Sequence, residues 1–257
     1  SYPNYSNQIE ILNASNGNLI KSITTPYFAN ALSGSLIIAD IYNNCEPVII
    51  ITCTDEPIND INLRKRIVCL NLNGDILWIS DQPLGSSNNV GVLENYGSLA
   101  LTDFNRDGIP ELYIYNEIYN AQTGVKLVDG GRNGIGCSLS AIHGGGSNGR
   151  SIAANLDDDP ELELAAGYSV YKVTINNING MVGNNMVAMN ISFPDVGWDP
   201  IVFLDGFTSV ADIDLDGKLD IVVTTDGGLG HFPNYDIGIY CYTIENNAPK
   251  LLAQHII

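Results

Sequence analysis

The 257-residue chain carries 11 Lys and Arg against 29 Asp and Glu, a formal charge of −18 and a pI near 4.2. An acidic surface of this kind repels phosphate backbones and anionic headgroups, so nucleic acid and membrane insertion are excluded as modes of action. The longest apolar runs, such as Val48-Ile-Ile-Ile51, are also far too short to span a bilayer. With 45% hydrophobic and 16% charged residues, the composition is that of a folded chain poor in cations, not of a disordered one.

The opening Ser1-Tyr2-Pro3-Asn4 has neither the basic nor the apolar stretch of a secretory leader. The expectation is therefore a chain that starts after processing or excision. Ile9-Glu-Ile-Leu12, a turn at Gly17 and Leu19-Ile20 then read as two short strands. They form the second half of a unit that recurs four times. Each full unit opens with a short apolar strand led by Ser or Thr, beginning at Ser35, Ser98, Ser151 and Thr208. An acidic loop comes next, starting at Asp40, Asp103, Asn155 and Asp212, with spacings of 63, 52 and 57 residues. A second strand succeeds it (Val48-Ile-Ile, Leu112-Tyr-Ile, Leu164-Ala-Ala, Ile221-Val-Val), then a third (from Ile67, Glu117, Tyr168 and Ile239). Gly74, Gly124 and Gly180 turn the first three units into a fourth strand at Ile76-Leu-Trp, Val125-Lys-Leu and Met181-Val. In the last unit Asn246-Asn247 leads to Lys250-Leu-Leu.

Four short strands every fifty to sixty residues, with no sustained helical periodicity, predict an all-β chain and match the blade of a β-propeller. The organisation predicted is one propeller region over 1–257, with a half blade at 8–24 and blades at 35–80, 97–129, 150–190 and 207–256. About seven blades close a propeller of this type, so further residues or a second chain are expected to complete the ring. The competing arrangement is a closed ring of five units with one reduced blade.

The acidic loops carry the chemistry. In the fourth, Asp212, Asp214, Asp216 and Asp220 stand at positions 1, 3, 5 and 9, with Gly217 at 6 and the Lys218 carbonyl at 7. Alternate carboxylates on a tight turn converge on one centre, and that donor set suits Ca2+ better than Mg2+. The second loop repeats it with Asp103, Asn105, Asp107, Gly108, the Ile109 carbonyl and Glu111. The third has Asn155, Asp157, Asp159, the Glu161 carbonyl and Glu163, but Pro160 where the others have Gly. The first, at Asp40, has Tyr42 and Val48 at carboxylate positions and is expected to be empty. Val223 at position 12 and the flanking strands exclude an EF-hand. The competing reading is that Asp, Asn and Gly simply make polar turns. Three loops in one register favour about three Ca2+ sites.

The run Thr208-Ser-Val-Ala-Asp-Ile-Asp-Leu-Asp-Gly-Lys-Leu-Asp-Ile-Val-Val223 resembles an FG-GAP/VCBS-type repeat. This is the calcium-loop blade of integrin α-subunit propellers and of many secreted bacterial proteins. The resemblance covers nearly the whole chain and implies a β-propeller with Ca2+ between the first two strands of a blade. The literal Phe-Gly and Gly-Ala-Pro tripeptides are absent, which points to the bacterial-style branch. It further implies an extracellular or cell-surface binding module that presents loops to a glycan or protein partner. The alternatives are a domain of a secreted carbohydrate-active enzyme such as a polysaccharide lyase, or a structural spacer.

Other motifs weigh less. His143-Gly-Gly-Gly146 overlaps Gly145-Gly-Ser147-Asn-Gly149, whereas a nucleophile elbow needs its own strand-turn-helix, so no catalytic residue is assigned. His231 and His255 are isolated, and no pair of His has zinc spacing. The five Cys form no CxxC; Cys53 and Cys69 lie in consecutive strands, where a disulfide competes with the commoner role of small buried hydrophobes. Asn4, Asn13 and Asn190 open glycosylation sequons that matter only in a eukaryotic secretory protein.

Overall fold

The computed structural model describes residues 8–25, 28–29, 36–54, 65–85, 97–131, 150–157, 159–190, 206–224 and 238–256. Among them are nineteen β-strands and no helix. The strands β1 (Gln8–Leu12) and β2 (Leu19–Thr24) form a hairpin. The second sheet holds β3 (Phe28–Ala29), β4 (Leu36–Ala39), β5 (Val48–Thr54), β6 (Lys65–Leu70) and β7 (Ile76–Ile79). The remaining three sheets are four-stranded and antiparallel. They are β8 (Ala100–Thr102), β9 (Glu111–Ile114), β10 (Glu117–Asn120) and β11 (Lys126–Asp129); then β12 (Ile152–Ala154), β13 (Glu163–Ala166), β14 (Ser169–Thr174) and β15 (Asn185–Asn190); then β16 (Thr208–Ala211), β17 (Asp220–Thr224), β18 (Gly238–Glu245) and β19 (Ala248–Ile256). In each the strands lie side by side in chain order.

Consecutive sheets pack face to face, and strand alternation explains how. In β5, Ile49 and Ile51 meet the hairpin residues Ile9, Ile11 and Ile23, while Val48 and Ile50 meet Leu112, Ile114 and Tyr119 of the third sheet. Tyr113 of β9 points the other way, toward Leu164, Ala166 and Tyr171. Ala165 and Val170 in turn pack on Ile221 and Val223. A strand sandwiched between two sheets needs apolar residues on both faces, which is why Val48-Ile-Ile-Ile51 reads as an unbroken run. Between the second and third sheets the approach is close. A Cβ at Gly124 would lie 2.4 Å from Cε3 of Trp78, so this turn position has room only for glycine.

Within each of the four larger sheets the acidic loop and the last hairpin turn share one end, whereas the connections before the first strand of the unit and between its second and third strands leave from the other. Bonds between neighbours tie the acidic-loop end together. Gln122 donates to the Ile41 carbonyl at 2.7 Å, and Asn120 to the Ile178 carbonyl at 3.2 Å.

The structure adds one strand to the sequence reading, removes another and decides between the two readings of the cysteines. A short strand, β3, continues the line of β4 along β5, with Phe28 opposite Thr54. Met181-Val182 is not a strand: β15 begins at Asn185, and residues 175–184 form a long loop around the Asn184 side chain. That amide accepts from the backbone N–H groups of Asn176 and Asn177 and donates to the carbonyls of Leu127, Asn177 and Gly180. The four other closing hairpins carry a bulge, and this one has the long loop instead. Cys53 and Cys69 are not cross-strand neighbours, because Cys53 faces Arg66 and Cys69 faces Ile50, and both take the commoner role of small buried side chains. Burial pushes the Cys69 thiol up to about 12, so it behaves as a small hydrophobe.

Candidate metal centres in the acidic loops

Each loop is first a set of side-chain-to-backbone hydrogen bonds. At position 1, Asp40 accepts from Asn44 N (3.1 Å) and Cys45 N (2.7 Å), Asp103 from Asp107 N (3.1 Å) and Gly108 N (2.9 Å), and Asp212 from Asp216 N and Gly217 N (both 3.1 Å). This capping folds positions 4 and 6 into the left-handed region. There φ is 54° and 64° at Asn43 and Cys45, 58° and 85° at Arg106 and Gly108, and 63° and 92° at Leu215 and Gly217. Asp107, Asp159 and Asp216 at position 5 accept from the N–H of Ile109, Glu161 and Lys218. Position 9 is deeply buried. Glu111, Glu163 and Asp220 are each 1% exposed and accept at 2.8 Å from the N–H of Phe104, Leu156 and Ile213. The polar-turn reading is thus correct for local structure, and it leaves carboxylate oxygens over for a second task.

The fourth loop uses them most plainly. Oxygens of Asp212, Asp214 and Asp216 all lie within 4.8 Å of one another. On the same loop, outside that group, Asp220 Oδ1 is buried and meets no hydrogen-bond donor. An orphaned buried carboxylate oxygen costs free energy unless a cation satisfies it. Like charges at ~4 Å repel by roughly 1 kcal/mol per pair even in water. The residues therefore fit a hard divalent cation, which Asp212, Asp214, Asp216 and Asp220 would hold. Such an ion would offset half of the four negative charges and fasten β16 to β17.

In the second loop Asp103, Asn105, Asp107 and Glu111 take the same positions, but Asn105 is an amide whose Nδ2 donates to Asp107 Oδ2 at 3.0 Å. Burial, followed by the nearby charges of Asp107 and Asp103, pushes Glu111 up to about 7. Among the described residues only the third and fourth loops bring three acids into mutual contact.

The third loop gathers Asp157, Asp159 and Glu163 within 4.8 Å, and burial pushes Glu163 up to about 7. It also holds a side chain that the loop motif does not contain. Lys172 Nζ lies 2.7 Å from Asp157 Oδ2 and 2.9 Å from Asp159 Oδ2. That contact, ahead of every other influence, holds the Asp159 carboxyl below the usual range. Arg106 reaches across from the second loop to donate to the Pro160 carbonyl. Asn155 turns its Nδ2 onto the Asp159 carbonyl instead of capping the loop as Asp103 and Asp212 do. The signal for Lys172 lay in pairing, not in spacing: the two-residue turn at Gly167-Tyr168 sets Glu163 directly opposite Lys172.

In the first loop Asp40 keeps its capping role. Tyr42 sends its hydroxyl to the Gln122 carbonyl at 2.9 Å, and Val48 is buried in the core. His143–Gly149, His231 and Cys137 lie outside the described residues, whereas His255 is exposed on β19. Trp78 is buried between two sheets, in the packing role its strand position suggests.

No protein-family model and no curated protein matches the sequence. Among solved structures, the V. cholerae biofilm matrix protein Bap1 superposes with a TM-score of 0.57 at 18% identity, over 98% of this chain and 34% of that one. The two share a fold over that region. Two rhamnogalacturonan lyases also align, PL11 of Bacillus licheniformis (TM-score 0.35, 17% identity) and the exotype enzyme YesX (0.34, 15%). They cover 98% and 97% of this chain and 38% and 36% of their own. The chain thus spans about a third of the length of the structures it resembles. Among the described residues no helix is long and apolar enough to cross a membrane.

Proposed function

We propose that this chain is a calcium-stabilised β-propeller module of an extracellular protein, presenting loops to a glycan or protein partner. The observation that carries the proposal is the recurrence of the acidic loop at one place in three successively stacked sheets, with the buried Asp220 Oδ1 left for a cation. Likeness to part of a biofilm matrix protein supports the extracellular setting. The short acidic loops occupy one end of the sheets, so the long connections at the other end are the ones free to vary with a ligand.

A propeller also accounts for an uneven surface. Among the described residues β1 pairs only with β2, whereas its counterparts β6, β10, β14 and β18 are paired on both sides. Leu36 and Ile38, on the face of β4 that looks toward this hairpin, are 45% and 60% exposed. Two further strands, from the rest of a longer chain or from a partner chain, would lie along β1 and cover them.

A glycan array run with the calcium-loaded protein, beside a polysaccharide-cleavage assay, tests the function. Binding without cleavage is expected. Cleavage would move the protein to the carbohydrate-active enzymes, and neither would leave a structural spacer.

A further inference from the structure

We propose that the ammonium of Lys172 is the resident cation of the third acidic loop, standing where the second and fourth loops would hold Ca2+. The inference rests on the calcium reading of those two loops and separates the third from them.

Three features set the third loop apart. First, its cation is built in. Lys172 stands directly across the strand pair from Glu163 and meets Asp157 and Asp159 at 2.7 and 2.9 Å. The residue opposite Glu111 is Asn120, whose amide is spent on the Ile178 carbonyl and on the N–H groups of Gln122 and Thr123. Opposite Asp220 the register arrives at Thr243. Neither is charged, so among the described residues that stand opposite position 9 in these three loops only the third loop's is a cation.

Second, the backbone differs. Position 6 takes a φ of 64° to 92° in the other three loops, which Pro160 cannot adopt. Asn155 has left its capping role for the Asp159 carbonyl, so this turn is closed by a different bond from the other three.

Third, Arg106 donates to the Pro160 carbonyl, which brings a second cation to the same loop. In a chain with 11 Lys and Arg, two converge on this one loop. A divalent ion could enter only by expelling the ammonium or by enduring its repulsion. The consequence is a loop that stays folded without calcium, between two that depend on it.

Counting bound Ca2+ by equilibrium dialysis tests the proposal on the 257-residue chain. K172M is expected to bind one more equivalent than the parent, and K172R the same number. D157N/D159N, made in the parent with Lys172 intact, is expected to leave the count unchanged while lowering the melting temperature in chelator. The proposal is overturned if K172M gains nothing, or if D157N/D159N loses an equivalent. Should K172M fail to fold, the D157N/D159N count decides alone. A parent that binds no Ca2+ would defeat the calcium reading of the other loops, and a gain in K172M would still uphold the role of Lys172.

Discussion

Glu117 and Lys126 form an ion pair of 3.1 Å with side-chain exposures of 1% and 0%. Glu117 also accepts from Tyr119 Oη at 2.6 Å and from Gly85 N at 2.8 Å, which fastens the segment after β7 to the third sheet. Losing one partner of such a pair strands a buried charge, so K126M is expected to cost about 3–5 kcal/mol in denaturant unfolding. Burial keeps the Glu117 carboxyl above its usual range of 4.5, although Lys126 pulls the other way. The folded state therefore holds this proton more tightly than the unfolded chain, and stability falls as pH rises above about 4.5. Without Lys126 that fall steepens, so the penalty of K126M is expected to be smaller at pH 5 than at pH 8. An equal penalty at both would mean that the pair does not govern the site.

Calcium is expected to raise the melting temperature, because a metal that binds the folded loop and not the unfolded chain stabilises by mass action. At a hundredfold excess over the dissociation constant the gain is about 2.7 kcal/mol per site. D214N, which weakens the acidic trio of the fourth loop, is expected to abolish much of that gain, and E10Q on the exposed face of β1 to leave it intact. Melting curves with calcium and with chelator decide the matter. Superimposable curves for the parent would show that no loop holds a structural ion.

Binding of Ca2+ to the second loop is expected to release protons below neutral pH. Glu111 rises to about 7 in the fold from 4.5, so near pH 6 the metal-free folded protein keeps a proton there that the unfolded chain has lost. Stability of the metal-free protein accordingly declines from about pH 4.5 to pH 7. Bound calcium must displace the proton and flattens that decline. Calorimetric titration at pH 6 in two buffers of different ionisation heat reads the release directly, and E111Q should reduce it.

The four-strand unit and its acidic loop were legible because both are periodic in the sequence. Apolar runs mark strands, and the order Asp-x-Asp/Asn-x-Asp marks the turn. What periodicity could not show were interactions that cross it. Asn184 organises residues 175–184 through its side chain alone, so Met181-Val182 looks like a strand and is not one. Lys172 sits in an ordinary strand pattern and acquires its role only when pairing sets it against Glu163. The two residues of β3 are too few to carry a pattern. The acidic motif marks where carboxylates gather, whereas the charge that reaches them depends on register.

Phe104 and Ile213 occupy the second position of their loops, yet Phe104 is 3% exposed and Ile213 52%. The neighbouring sheet makes the difference. Ile41, Phe104 and Leu156 each pack forward into the core shared with the next sheet in chain order. Among the described residues no sheet stands beyond β16–β19. F104A is therefore expected to lose about 3–5 kcal/mol, the usual cost of emptying a buried phenylalanine site. I213A should change stability by less than about 1 kcal/mol, as at an open surface. Both measurements use urea unfolding of the 257-residue chain with calcium present. A large loss for I213A would mean that this face is already covered, through self-association or by residues outside those described. Comparing the two variants at several protein concentrations separates these cases, since only self-association makes the loss depend on concentration.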